Sequence, residues 1–67
     1  MITETGYKKM ETYAAEHGLS IRRSFSTFGC WAYCYIDIVR DGVVMDSIFD
    51  DYATRLRDLR AMIDRYV

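Results

Sequence analysis

The sequence of 67 residues has no proline, four glycines, two cysteines and one histidine. It also lacks an internal repeat and a stretch of linker composition. Nothing therefore marks a domain boundary, and we expect residues 1–67 to form a single domain. A domain of this length lies near the lower limit for a hydrophobic core that is stable without further support.

The sequence also lacks a large excess of charge of one sign, and it lacks long apolar runs. The net charge is −1, which gives no general attraction to nucleic acid or to an anionic membrane. No apolar run approaches the roughly 20 residues that span a bilayer. The segment Met1–Glu4 has neither the basic region nor the apolar region of a signal peptide. We therefore expect a cytoplasmic protein without a membrane partner.

The scarcity of cysteine and histidine limits the chemistry. Cys30 and Cys34 would lie about 13 Å apart on one strand face, beyond the roughly 7 Å that a disulfide allows, so we interpret both as small buried residues. With His17 they give at most three ligands, where structural zinc needs four. No nucleophile, base and oxyanion donor can be assembled either. We expect no metal, no cofactor and no enzymatic activity.

Periodicity predicts two helices and three strands. Residues 3–17 place Tyr7, Met10, Ala14 and His17 on one helical stripe. Asp41-Gly42 is typical of a hairpin turn between two β-rich runs. The predicted strands cover about residues 20–27, 30–40 and 43–47, and the second helix about 49–66. The fold class is α+β, with a three-stranded antiparallel meander and two helices on one face (α-β-β-β-α).

The two hairpin turns also predict the register. A turn at Phe28-Gly29 pairs Phe25 with Ala32, and the turn at Asp41-Gly42 pairs Ile38 with Met45. Both pairings place the aliphatic residues on the same face of the sheet. They set Asp37 opposite Asp46 on the other face, where a basic group (Arg22, Arg40 or a lysine or arginine of a partner) would relieve the repulsion. That other face comprises Arg22, Ser24, Ser26, Trp31, Tyr33, Tyr35, Asp37, Val39, Val44 and Asp46.

The strand that contains Trp31, Tyr33 and Tyr35 is apolar or aromatic on both faces. A chain this short can usually cover only one face of a sheet with helices. We therefore expect the aromatic row to be the centre of a binding surface, with Arg22, Asp37 and Asp46 at its edge. The partner would be another protein or a second copy of the chain. Strand preference alone, or a covering loop, would also account for the aromatic residues.

Binding of single-stranded or double-stranded RNA is the alternative function. Aromatic residues on an open sheet can stack bases. The element order also resembles that of a double-stranded-RNA-binding domain. The second helix of that family begins with a lysine cluster, whereas the second helix predicted here begins at Asp50-Asp51, where a phosphate backbone would be repelled.

The chain also resembles the small inhibitor proteins encoded by phages and mobile elements, of which the anti-CRISPR proteins are examples. The resemblance lies in Trp31–Tyr35, the Asp41-Gly42 hairpin and the acidic segment that ends at Asp51, about half of the chain. It implies an inhibitor that acts in the host cytoplasm by covering a partner's surface, with acidic side chains in sites meant for nucleic acid. The candidates for those side chains are Asp37, Asp46, Asp50 and Asp51.

Overall fold

A computed structural model of the chain describes residues 2–29 and 31–67, with the side chains of Phe28 and Trp31 outside the description. It confirms the predicted α+β fold and element order. The three strands form one antiparallel sheet in the order β1-β2-β3, and residues of both helices pack against one face of it. The elements are α1 (Glu4–Glu16), β1 (Ser20–Phe28), β2 (Trp31–Arg40), β3 (Val43–Phe49) and α2 (Leu56–Asp64).

Helix α1 begins and ends as its sequence predicts. The Thr3 hydroxyl accepts a hydrogen bond from the Gly6 N–H at 3.1 Å, which satisfies one of the free donors at the helix start. At the other end Gly18 has a φ of +75°, a conformation that glycine adopts without a steric penalty. His17 is the exception on the predicted stripe, because it is exposed and packs edge-on to Tyr13.

The first hairpin has the predicted faces with a different register. Phe25 lies opposite Cys34 and Ile21 opposite Ile38, so each residue of β1 pairs two positions further along β2 than the turn at Phe28-Gly29 predicts. Side chains alternate with a period of two, so a shift of two leaves every side chain on its predicted face. The face assignment is thus correct although the pairing is wrong.

The second hairpin contains a β-bulge that the sequence analysis misses. The predicted turn at Asp41-Gly42 is present and Arg40 pairs with Val43, but Ile38 pairs with Asp46 instead of Met45. The extra residue moves the side chains beyond it to the other face. Asp46 therefore lies on the helix-covered face, and the predicted opposition of Asp37 and Asp46 is wrong, since Asp37 pairs with Ser47.

The second helix begins at Leu56, seven residues after the predicted start at Phe49. Phe49 instead ends β3, and a turn follows in which the Asp51 carboxylate accepts from the Ala53 N–H at 2.8 Å. The helix start is capped by Asp58, which accepts from the Arg55 N–H at 2.8 Å. The predicted placement of Asp50 and Asp51 in the first turn of this helix is wrong.

The hydrophobic core lies between the helices and one half of the inner face, by which we mean the face of the sheet that the helices cover. Phe25 lies on the same face beyond the helices and is 75% exposed. Cys34 is only partly buried and is a free thiol, while Cys30 lies outside the described residues. In the part of the chain that the structure describes, neither helix has the length and hydrophobicity of a membrane-spanning segment. The core comprises Ile2, Tyr7, Met10, Ala14, Leu19, Ile21, Ile36, Ile38, Leu59, Met62 and Ile63.

Candidate binding site on the outer face of the sheet

The outer face is the sheet face opposite the two helices. Strand alternation places every second residue of β2 there, and the register adds neighbours from the two edge strands. Four of the predicted site residues, Arg22, Tyr33, Tyr35 and Asp37, come together on it. The described side chains of this face are Ser20, Arg22, Ser24, Ser26, Tyr33, Tyr35, Asp37, Val39, Val44, Ser47 and Phe49.

Three aromatic side chains form a cluster at one end of the outer face. Phe49 packs edge-on to Tyr35, with ring centroids 4.9 Å apart, and edge-on to Tyr33 at 5.4 Å. Such contacts align the positive ring edge of one residue with the negative face of the next. Phe49 nevertheless remains 41% exposed. We call Tyr33, Tyr35 and Phe49 the aromatic cluster; the side chain of Trp31 lies outside the described residues.

Phe49 is the residue of this cluster that the sequence analysis assigns to the second helix. Its spacing to Tyr52 and Leu56 fits a helical stripe, but Tyr52 is 87% exposed. The alternation of Ser47, Ile48 and Phe49 carries the strand signal, since Ile48 packs against the core and its neighbours face outward. The alternation that indicates a strand covers only these three residues. It is too short to outweigh the helical spacing of Phe49, Tyr52 and Leu56 in a prediction from sequence.

Asp37 lies beside the aromatic cluster and is buried, with 6% of the residue exposed. Its carboxylate accepts hydrogen bonds from the hydroxyls of Ser24 and Ser47, the latter at 2.6 Å, and from Arg22 Nε at 3.3 Å. Burial favours the neutral carboxyl, but these donors together outweigh it and hold the pKa of Asp37 below its ordinary value of 3.8. One buried charge therefore connects all three strands.

Of the candidate basic groups for Asp37, Arg22 is the one that pairs with it. The ion pair joins a side chain that is 61% exposed to one that is 9% exposed. Because Asp37 holds Nε, the remaining guanidinium donors of Arg22 stay at the surface on the β1 side of the cluster. The arrangement presents a positioned positive group next to aromatic rings.

The other three predicted acidic site residues are not on this surface. Asp46 accepts from the Tyr66 hydroxyl at 3.1 Å and pairs with Arg65 at 3.6 Å. Asp50 is buried and accepts from the Ile2 N–H at 3.1 Å. Asp51 is held by the backbone of its own turn. Each of these carboxylates stabilises a chain connection, and they do not combine with Asp37 into one acidic patch.

Within residues 2–29 and 31–67, no three His, Cys, Asp or Glu side chains are close enough to hold a metal ion together. The outer face offers aromatic contact, hydrogen bonding by serine hydroxyls and tyrosines, and one exposed guanidinium. Comparisons of the chain with protein-family models, with curated proteins and with solved structures give no match.

Proposed function

We propose that this chain is a non-enzymatic protein-binding domain that inhibits or regulates its partner by covering the partner's surface, in the manner of the small inhibitors of phages and mobile elements. The observation that carries the proposal is the aromatic cluster on a sheet face without helix cover. Tyrosine, other aromatic residues and arginine dominate the binding energy of protein interfaces. Here Tyr33, Tyr35 and Phe49 lie beside an exposed Arg22.

The geometry supports binding through a small preorganised surface. The two edge-on contacts of Phe49 and the three donors to Asp37 fix the side chains before a partner arrives. Preorganisation lowers the entropy that is lost on association. Ser24 and Ser26 border the aromatic row on the β1 side, and such small side chains leave room for a partner's side chain against the tyrosine rings.

Inhibition by acidic side chains that occupy a partner's nucleic-acid sites receives less support than binding through aromatic contact. Asp37, Asp46, Asp50 and Asp51 all accept hydrogen bonds from within the chain. Imitation of a phosphate backbone would need carboxylates that are free to bind the partner's basic groups. We therefore place the aromatic cluster at the centre of the contact and Arg22 at its edge.

The proposal is tested with Phe49→Ala and with Tyr52→Ala as the matched control, because Tyr52 is an exposed aromatic residue outside the outer face. The tagged chain captures a partner from cell extract, and calorimetry then measures the affinity for the purified partner. We expect Phe49→Ala to weaken binding by more than about 2 kcal/mol, and Tyr52→Ala to leave it within about 0.5 kcal/mol.

RNA binding is the outcome that would replace the proposal. Titration of the wild type with single-stranded and double-stranded RNA measures it directly. Tight binding whose affinity falls steeply with salt would show contact with phosphates. Equal losses of partner affinity for Phe49→Ala and Tyr52→Ala would also refute a binding role for the aromatic cluster.

A further inference from the structure

The two edge strands of the sheet, β1 and β3, differ in how far their outward-facing backbone groups are hydrogen-bonded. At the β3 edge, the Met45 carbonyl accepts from the Tyr66 hydroxyl at 3.2 Å, and the Ser47 N–H donates to the Asp46 carboxylate at 2.8 Å. The bulge at Met45 also interrupts the regular spacing of this edge. Bulges and local side-chain contacts are the devices by which proteins prevent an edge strand from pairing with another chain.

The register shows which backbone groups of β1 face the opposite edge. The Asp50 N–H donates to the Cys34 carbonyl at 2.9 Å, so Cys34 and every second residue from it direct their backbone groups towards β3. The backbone groups of the residues between them face β1. Their partners there are the even-numbered residues of β1, such as Ser24 opposite Tyr35. The backbone groups of the alternate residues of β1 therefore face away from the sheet. These residues are Ile21, Arg23, Phe25 and Thr27.

This β1 edge is long, regular and open. It pairs with β2 through nine consecutive positions in one register. Across the described ranges, no turn, loop or side-chain hydrogen bond of the kind that closes the β3 edge ends on the backbone of those four residues. Phe25, one of the four, is also 75% exposed. Unpaired backbone groups in such a row are a template for a further strand.

We propose that β1 pairs with β1 of a second copy, antiparallel about a two-fold axis at Ser24, so that the two sheets become one. In this register Arg23 lies opposite Phe25 of the partner subunit, and Ile21 lies opposite Thr27 of the partner subunit. All four outward-facing residues of each copy then gain hydrogen-bonded partners. The inference goes beyond the proposed function, since it uses the edge of the sheet and not its outer face.

The charges and the strand length select this register. An axis at Arg23 would set two like charges opposite each other, which is destabilising. An axis at Phe25 would place Ile21 opposite Gly29, outside the strand. The axis at Ser24 avoids both, because it sets each Arg23 opposite an uncharged phenylalanine. The single strand is therefore complementary to itself, which favours a second copy as the occupant.

The surface beside β1 has room for the added strand. A groove of about 540 Å³ lies between α1 and the beginning of β1, lined by Lys8, Glu11, Thr12, Ala15 and Leu19–Ile21. In the proposed register Thr27 of the partner subunit, opposite Ile21, lies at the β1 side of this groove. Opposed residues share a face, so the outer faces of both copies lie on one side of the joined sheet and remain free.

The test uses Thr27→Pro with Thr27→Ala as its matched control. Proline removes an N–H that faces the open edge and no hydrogen bond of the sheet, which edge strands tolerate, while alanine removes the same side chain and keeps the N–H. Sedimentation equilibrium measures association across micromolar concentrations, and circular dichroism checks the fold. We expect the wild type and Thr27→Ala to form dimers, and Thr27→Pro to raise the dissociation constant roughly tenfold or more.

A second pair of variants covers the case in which Thr27→Pro does not fold. Phe25→Lys places a like charge opposite Arg23 of the partner subunit, and we expect it to weaken the dimer by a similar factor. Phe25→Leu keeps an apolar side chain and should leave the dimer intact. A dimer that withstands Phe25→Lys contradicts the proposed register.

Amide hydrogen exchange identifies the paired edge residue by residue. The N–H groups of Ile21, Arg23, Phe25 and Thr27 should exchange more slowly as the concentration rises, whereas that of Ser24, bonded to β2, is protected throughout. A wild type that stays monomeric would overturn the proposal. So would a dimer that Phe49→Ala dissociates and Thr27→Pro does not, because the aromatic cluster would then be the self-association surface. A monomer would leave the proposed function of the outer face untouched.

Discussion

The inner and outer faces of the sheet come from alternate residues of the same strands, yet their side chains are buried by different contacts. On the inner face, Ile36 and Ile38 are fully buried beneath residues of α1 and α2. On the outer face, Asp37 is buried by its neighbours within the sheet, through bonds to Ser24, Ser47 and Arg22. The two helices cover the inner face, whereas side chains of the sheet itself bury Asp37 on the outer face.

This difference shows how a short chain can keep a surface available for binding. Two helices supply enough apolar area to cover one half of one face, and Phe25 lies beyond their reach. The outer face stays ordered without a second layer because its polar centre is fully hydrogen-bonded and its aromatic end is held edge-to-face. A surface that is ordered before it meets a partner loses less entropy on binding.

The largest effect should come from the helix-covered face. Ile36→Ala removes a side chain with no exposed surface and leaves a cavity, and we expect the free energy of unfolding to fall by about 2–5 kcal/mol. Urea denaturation measures it. Tyr35→Ala, the adjacent residue on the outer face, is the matched comparison and should cost less than half as much. Equal losses would mean that the two faces contribute alike to the core.

The buried carboxylate should produce the next largest effect. Asp37→Ala leaves the hydroxyls of Ser24 and Ser47 and the Arg22 guanidinium without their acceptor, which we expect to cost about 1–3 kcal/mol. Asp46→Ala serves as the comparison: its ion pair is with an exposed Arg65 and its hydrogen bond is from Tyr66 near the surface, so we expect a smaller loss than for Asp37→Ala. A neutral result for Asp37→Ala would show that these donors find water as readily as the carboxylate.

The same carboxylate predicts a pH dependence. Its pKa is lowered in the folded state, so Asp37 stabilises the fold above its ordinary pKa of 3.8, and this contribution is lost as pH falls through the lower folded value. Wild type and Asp37→Asn should therefore differ most near neutral pH and converge in acid. Urea denaturation across that range measures the difference, and a constant gap would refute the assignment.

The exposed end of the inner face should give the smallest effect. Phe25→Ser changes a side chain that is 75% exposed, so we expect the stability of the monomer to change by no more than about 0.5 kcal/mol. Ile21→Ser, at the covered end of the same strand face, should cost several times as much. Thermal or urea unfolding at concentrations below self-association separates this effect from dimer formation. A large loss for Phe25→Ser would place Phe25 in the core.

The assignment of most residues of β1 and β2 to the two faces could be predicted from the sequence. Alternation assigned Tyr33, Tyr35 and Asp37 to one face and the isoleucines to the other, and the assignment holds although the first hairpin is shifted by two positions. Arg22 is one of several candidate basic groups that the sequence offers for Asp37, and it is the one that forms an ion pair with it. Face assignment is robust because it depends only on parity along the strand.

The remaining site residues could not be placed from local patterns. Asp46 was assigned to the outer face, but the bulge at Met45 moves it to the other side. Phe49 was assigned to a helix, and Asp50 to that helix's first turn, although Asp50 holds the N–H of Ile2, 48 residues away in sequence. The Asp50 contact leaves no periodic signal in the sequence, and the strand alternation that includes Phe49 is only three residues long.

The sequence by itself determined the element order, the faces of β1 and β2 and the turn at Asp41-Gly42, because helical spacing, alternation and turn preferences act over a few neighbouring residues. Only the tertiary structure decided where β3 ends, which residue bulges and how far the helices reach. It also decided that one sheet edge is closed by Tyr66 and Asp46 while the other stays open. These outcomes depend on packing between distant segments, and the free energies of the competing local arrangements differ too little to settle them.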